Sequence, residues 1–334
     1  MFNKMLKALF TIFLMFILAS TLIAQPKANN LKQQTNIPSI ESLWQEPKNI
    51  SSLDLYFGEG GSKNIPLAPF KYLKKDTSGS QKKFSVEDAN GIKWKVKIGE
   101  ESQCETVAVR LLWSMGYYTD MTYYLPEIQV EGVFDDNSTG LKKFSTQTFY
   151  GARMELVRKE KKIDRWKWHK NPFIGTKEFD GLKVMMMLIN NWDLKQENNV
   201  ILENKGKSKY YVADLGACLG KTGLEIFGRS KNNIKDFSRS KFVQKVSHEK
   251  VTFSFHTRPL ILLIFYPTYY FERASAGKIA KNVPLSHVKW IGELLSQLSD
   301  KQLHDAFRAA NYSPEQSQKF VLALRNRINQ LTSL

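Results

Sequence analysis

Asp193-Leu194-Lys195-Gln196-Glu197-Asn198, followed after an apolar run by Asp214-Leu215-Gly216, decides how this chain reads. The first stretch sets a carboxylate, an ammonium two residues later and a carboxamide five residues later on one loop. The second brings another carboxylate, followed by a glycine that lets the chain turn away. Taken singly, Asp193 and Asn198 read as Asx-type side-chain caps of a loop. Taken together, the two stretches collect hard oxygen donors beside a cation, a set that suits a divalent metal and a phosphate.

Working outward, Asn198 to Leu202 and Tyr210 to Ala213 read as short strands around the loop Asn204 to Lys207. Leu182 to Leu188 reads as a helix whose Met185, Met186 and Met187 serve core packing. Upstream, Phe70 to Lys74, Phe84 to Glu87 and Ile92 to Ile98 read as strands. The last alternates Ile92, Trp94, Val96 and Ile98 against Lys93, Lys95 and Lys97. A helix capped by Ser102 and carrying Glu105, Val107, Leu111 and Leu112 follows, then strands at Leu125 to Val133 and Thr148 to Val157. Leu285 to Leu295, Asp300 to Ala309 and Pro314 to Leu331 show helical periodicity, with caps at Ser299 and Ser313. Pro259 to Tyr270 is apolar and aromatic but interrupted by Pro267, and reads as a buried core segment.

The expected fold is α+β with two lobes: an antiparallel sheet with one helix, then a mainly helical half. The expected division is 1–24 a signal peptide or anchor, 25–50 a linker, 51–157 the sheet lobe and 158–334 the helical lobe. Transfer of a phosphoryl group needs a backbone covering the phosphates, a lysine on them, metal ligands, and a carboxylate orienting the acceptor hydroxyl. Asp193 is the candidate base, with Lys195 pointing at the transferring phosphate; Asn198 and Asp214 are the candidate metal ligands. Lys97 is the candidate for the α- and β-phosphates and Glu105 its partner, with Glu100 and Glu101 as alternatives before the helix is established. Thr77-Ser78-Gly79-Ser80, between the first two strands, is the candidate phosphate-covering loop, although it holds a single glycine.

These motifs carry a resemblance. Asp193 to Asn198 resembles the catalytic loop of protein kinases, and Asp214-Leu215-Gly216 resembles their metal-binding triplet. Residues 70 to 220 follow the kinase order of strands, helix, strands, hinge, helix, catalytic loop, strand pair and triplet. Asn191-Trp192 stands where His-Arg is usual, no Ala-Pro-Glu follows Asp214, and Gly228 to Phe242 is short and basic. Those departures point to the atypical branch that includes bacterial persistence-toxin kinases, phosphoinositide kinases and secretory-pathway kinases. The pattern Lys-Trp-Lys-Val-Lys with Asn-Asn-Trp-Asp is also similar to uncharacterised exported bacterial proteins. The resemblance implies ATP with Mg or Mn, a nucleotide partner and a hydroxyl acceptor that no motif encodes.

Lys4 and Lys7 precede an uncharged, mostly apolar run, Ala8 to Ala24, as in a signal peptide. Leu22 is bulky for a cleavage site after Ala24, so an uncleaved anchor is the alternative; through it alone the chain would meet a membrane. Either reading places the rest outside the cytoplasm: periplasmic, extracellular or anchored facing outward. The net charge is +17, from 49 Lys+Arg against 32 Asp+Glu, a surface suited to polyanions or an acidic partner. Cys104 and Cys218 read as free buried thiols, a disulfide being the alternative. Two functional classes stay open: an active exported kinase, and a catalytically silent kinase-like module binding nucleotide or a partner. A phosphate-bearing substrate met by Arg229, Lys231, Arg239 and Lys241 is a third.

Overall fold

In the computed structural model, alternation of apolar and polar residues builds a closed barrel. The structure describes residues 38–77, 81–135, 143–195, 198–222, 228–255 and 262–334. Strands β1 (Phe70–Asp76), β2 (Lys82–Glu87), β3 (Lys93–Ile98), β4 (Thr122–Asp135) and β5 (Lys143–Leu156) close in the order β1-β2-β3-β5-β4. Every pair is antiparallel except β1–β4, which meet in parallel at Phe70↔Val130 and Lys71↔Glu131. The sheet expected from sequence is therefore closed on itself. Phe70, Phe84, Val86, Trp94, Val96, Ile128, Val130 and Met154 fill its interior.

Helix α1 (Glu101–Ser114) connects β3 to β4. Ser102 does not cap it: the helix begins one residue earlier, and the Ser102 hydroxyl instead donates to the Lys97 carbonyl at 2.9 Å. Its Cys104, Val107, Ala108, Leu111 and Leu112 are buried in the larger core rather than in the barrel. That core also takes residues of α2 (Lys177–Leu188), including Met185, Met186 and Met187. Strands β6 (Lys161–Arg165), β7 (Asn199–Asn204) and β8 (Lys207–Val212) form a second sheet in the order β6-β7-β8. β6 takes up the basic residues Lys161 and Lys162, because pairing along β7 outweighs its polar composition.

The chain continues through α3 (Ile234–Arg239), β9 (Val243–Ser247), β10 (Lys250–Phe253), α4 (Leu262–Phe265), α5 (Pro267–Lys278) and β11 (Val283–Pro284). It ends in α6 (Leu285–Ser296), α7 (Asp300–Ala309) and α8 (Pro314–Ser333). Ser299 and Ser313 each complete a capping box, with Gln302 and Gln316 as the reciprocal partners. Arg327 of α8 donates to the carbonyls of Leu188 and Phe237 and to Asn190 Oδ1, tying α8 to the end of α2.

Residues 38–50 differ from the linker expected there. Leu43, Trp44 and Ile50 are buried in the larger core, and Trp44 Nε1 donates to the Met115 carbonyl at 2.7 Å. Three apolar side chains in a polar stretch were enough to dock it, and Pro38–Leu334 forms one compact unit. The apolar run Ala8 to Ala24 lies outside the described residues. Among those described, no helix is long and apolar enough to cross a membrane.

Candidate active site

Alternation along β3 sends Trp94 and Val96 into the barrel and Lys93, Lys95 and Lys97 to its outer face. Position on that face separates the three lysines. Lys93 is exposed and Lys95 pairs with Glu155 at 2.8 Å, but Lys97 is buried under α1. Lys97 Nζ donates to Glu101 Oε2 at 2.5 Å, Glu105 Oε2 at 2.9 Å and Asp214 Oδ1 at 3.0 Å. Glu101 and Glu105 share one face of α1 because they stand four residues apart. The helix starts early enough for Glu101, so two of the three sequence candidates, Glu101 and Glu105, pair with Lys97, while Glu100 stands at the N-cap.

Burial alone would lower the Lys97 pKa, but Glu105, Asp214 and Glu101 outweigh it and hold the ammonium charged. Burial would raise Asp214, yet Lys97 pulls it below the usual carboxylate range. Glu101 is likewise held low, against burial, by Lys97 and by Lys231, whose Nζ lies 2.8 Å from Glu101 Oε1. The ligand oxygens of Glu101, Glu105 and Asp214 lie within 4.8 Å of one another.

The 193–198 loop is organised by its own polar groups. Asn191 Oδ1 accepts from the Asp193 amide at 3.1 Å, and Asn198 Nδ2 donates to the Asp193 carbonyl at 2.9 Å. The Ala213 amide donates to the Asn198 carbonyl at 2.8 Å, setting that residue beside the one before Asp214. Lys195 Nζ meets Asp193 Oδ2 at 3.0 Å with its side chain about half exposed, so it pairs within the loop. Gln196 and Glu197 lie outside the described residues.

Asp214 has φ 52°, the left-handed region, while Gly216 does not. The turn therefore bends at Asp214. Gly216 is required by close approach: a Cβ there would lie 2.7 Å from Glu101 Cβ. The two thiols pack behind this turn and are free. Cys104 Sγ lies 3.1 Å from the Gly216 carbonyl and Cys218 Sγ 3.5 Å from the Cys104 carbonyl. Burial pushes the Cys218 thiol well up, so it is protonated and unreactive at neutral pH.

Lys97, Asn198 and Asp214 line one cavity of about 420 Å³. Val157, Val200, Leu202 and Ala213 give it apolar surface, while Lys95, Asp120, Glu155 and Arg158 give it a charged wall. The sequence did not single out Arg153, which stands directly across β3–β5 from Lys97, as Glu155 does from Lys95. Arg153 Nη2 contacts Glu105 Oε1 at 3.0 Å and Glu155 Oε2 at 2.9 Å. Carboxylates and cations therefore alternate along the wall from Lys231 through Glu101, Lys97, Glu105, Arg153 and Glu155 to Lys95. The one available signal was the mirrored spacing Lys95-x-Lys97 and Arg153-x-Glu155, which has meaning only once the strands are paired.

Asp214 Oδ1 is taken by Lys97, which leaves Oδ2 for a cation, and Asn198 Nδ2 is used within the loop, which leaves its carbonyl oxygen. That donor set fits Mg²⁺ or Mn²⁺, which take oxygen ligands. Of the candidate covering loop, Thr77 is exposed at the end of β1, and Ser78, Gly79 and Ser80 lie outside the described residues.

No protein-family model matches the chain, and no curated protein matches it. Solved structures similar to it include the Helicobacter pylori proinflammatory kinase CtkA, at 12% identity and TM-score 0.44, covering 80% of this chain and 98% of that one. The amicoumacin kinase hAmiN, solved with AMP-PNP and Ca²⁺, is similar at 9% identity and TM-score 0.26, covering 79% and 90%. A MAP kinase of Leishmania major is similar at 12% identity and TM-score 0.21, covering 80% and 94%. At these values nothing about activity passes from those enzymes to this chain. By the order of its own elements, and by Lys97, Glu105 and Asp214 meeting across strand, helix and turn, the chain has an atypical kinase-like α+β fold.

Proposed function

We propose that the chain is an exported atypical kinase that transfers the γ-phosphate of ATP to a hydroxyl acceptor. The observation that carries this reading is Lys97 held at once by Glu105 of α1 and by Asp214 beyond β8. A lysine so fixed is placed to hold α- and β-phosphate oxygens, and Asn198 and Asp214 would hold Mg²⁺ or Mn²⁺. The bound ion would neutralise charge on the phosphates. Asp193 would orient the acceptor hydroxyl and take its proton. The acceptor oxygen bonds to the γ-phosphorus as the bond to the β-phosphate oxygen breaks, and ADP leaves with that electron pair. Export is supported by Lys4, Lys7 and the run Ala8 to Ala24.

A second reading is favoured by the cavity wall. Beside the apolar Val157, Val200 and Leu202, the cavity presents charge from Lys95, Glu155, Asp120 and Arg158. A silent kinase-like module that binds a nucleotide or an acidic partner fits that wall as well. The test is thermal unfolding with ATP plus Mg²⁺ or Mn²⁺, beside transfer of label from γ-labelled ATP to the protein or to candidate acceptors. Bound nucleotide raises the melting temperature by mass action, and Asp214→Ala should abolish the rise. No rise in the unaltered protein sinks the kinase reading. A rise without transfer, undiminished in Asp193→Ala, identifies the silent module.

A further inference from the structure

Ahead of Ile279, which is buried in the larger core, α4 and α5 form an excursion whose described apolar side chains join neither core. Leu263, Ile264, Phe265, Tyr266 and Phe271 are exposed, Ile264 by 75% and the three aromatics by at least 64%. The buried core segment expected over Pro259 to Tyr270 is thus corrected: Leu263 to Thr268 is exposed throughout, and Pro259 to Ile261 lies outside the described residues. The physical reason is local. α4 is a single turn, Pro267 opens α5, and the two pack mainly on each other. Other exposed large apolar residues, such as Leu322, are scattered through the chain, whereas these four at 263–266 are consecutive.

Exposed lysines gather at the C-terminal end of α5. The Phe253 amide donates to the Ala280 carbonyl at 2.8 Å, which brings the β9–β10 hairpin beside the end of α5. Lys245, Lys250, Lys278 and Lys281 are exposed there, against the exposed acid Glu249. We propose that this excursion docks on an anionic lipid bilayer, aromatic rings in the interface and lysines at the headgroup phosphates. Three observations select lipid over a protein partner. Exposed Phe, Tyr and Ile on short helices are what a water–hydrocarbon boundary retains. These lysines and the net charge of +17 complement an anionic leaflet. Residues 25–37 alone separate the apolar run Ala8 to Ala24 from Pro38, a reach of at most about 45 Å when extended. A bilayer engaging that run would hold Pro38 within that distance of its surface, and two weak attachments on one tether reinforce each other.

The inference does not depend on the kinase reading. Its test uses Pro38–Leu334, which holds both cores in one compact unit and omits the apolar run. The fragment is sedimented with phosphatidylcholine vesicles, with and without phosphatidylglycerol. It should bind only the anionic vesicles, less at high salt. Ile264→Asp with Phe265→Asp should weaken binding about tenfold or more without lowering the melting temperature. Leu322→Asp, exposed on α8, should leave binding unchanged. Failure of the fragment to bind anionic vesicles, or equal binding by the double variant, overturns the proposal. So does a dimer seen by light scattering that the double variant splits, since the occupant would then be a second copy.

Discussion

Replacing Lys97 by Met removes the one cation shared by three carboxylates while keeping most of the buried stem. Lys97 and Glu105 side chains are 6% and 2% exposed, so their pair is a buried one. Breaking such a pair costs about 3–5 kcal/mol, because the partner charge is left uncompensated. Glu105 keeps Arg153 and Glu101 keeps Lys231, whereas Asp214 loses its close cation. Two carboxylates with oxygens at most 4.8 Å apart repel by roughly 3.5 kcal/mol or more at an effective dielectric of about 20. Asp214, with 43% of its side chain exposed, is screened well below that. The expected loss at neutral pH stays about 3–5 kcal/mol, or about 5–8 °C in melting temperature for a unit of this size.

The sign with pH separates this account from simple loss of packing. In the native chain Asp214 and Glu101 are held low, so their contribution is complete at neutral pH and is lost only as pH falls through their folded values. In Lys97→Met the same carboxyls are raised by burial and mutual repulsion, so acid relieves the variant first. Melting curves from about pH 7 down to about pH 5 should therefore show the gap between the two proteins narrowing. A gap that is absent at neutral pH, or that widens with acid, would refute the reasoning.

Three further outcomes are expected. Gln302 Nε2 donates to the Ile50 and Leu53 carbonyls, so Gln302→Ala should cost about 2–4 kcal/mol in denaturant titration, and Ser313→Ala only about 1 kcal/mol. A fragment beginning at residue 51 loses Leu43, Trp44 and Ile50 from the core, and should melt clearly below Pro38–Leu334; equal melting points would make that docking inconsequential. Burial and the neighbouring Glu155 push Asp120 up to about 6 against the pull of Arg158, so folding takes up a proton there. Native stability should then fall relative to Asp120→Asn as pH rises from about 4 to about 6, and a difference constant over that range would contradict the shift.

What the sequence made legible was what short-range pattern encodes. Period-two alternation placed β3, and the capping serines Ser299 and Ser313 marked the starts of α7 and α8. That Asn198 and Asp214 come to one cavity was legible because their spacing lies within neighbouring segments. Arg153 was not, since its meaning comes from facing Lys97 across a strand pair more than fifty residues apart in sequence. Trp44 was missed for a related reason: its partner is the Met115 carbonyl, and nothing local announces it. The apolar 259–270 stretch misled because hydrophobicity reports a preference for leaving water, and a protein core is one of several places that satisfies it.

The closed barrel has a consequence for how this protein can meet others. Where β1 meets β4, at Phe70↔Val130 and Lys71↔Glu131, the joined sheet offers no free edge to a passing strand. The smaller β6-β7-β8 sheet does have a rim, but β6 presents Lys161, Lys162 and Arg165 with every residue exposed. Like charges repel an identical strand approaching there, so self-templated growth along that rim is opposed. Extended peptides are thus disfavoured at the β1–β4 junction and along β6. At those two places recognition is left to side chains, so charge and surface chemistry rather than strand register would set the choice of partner there.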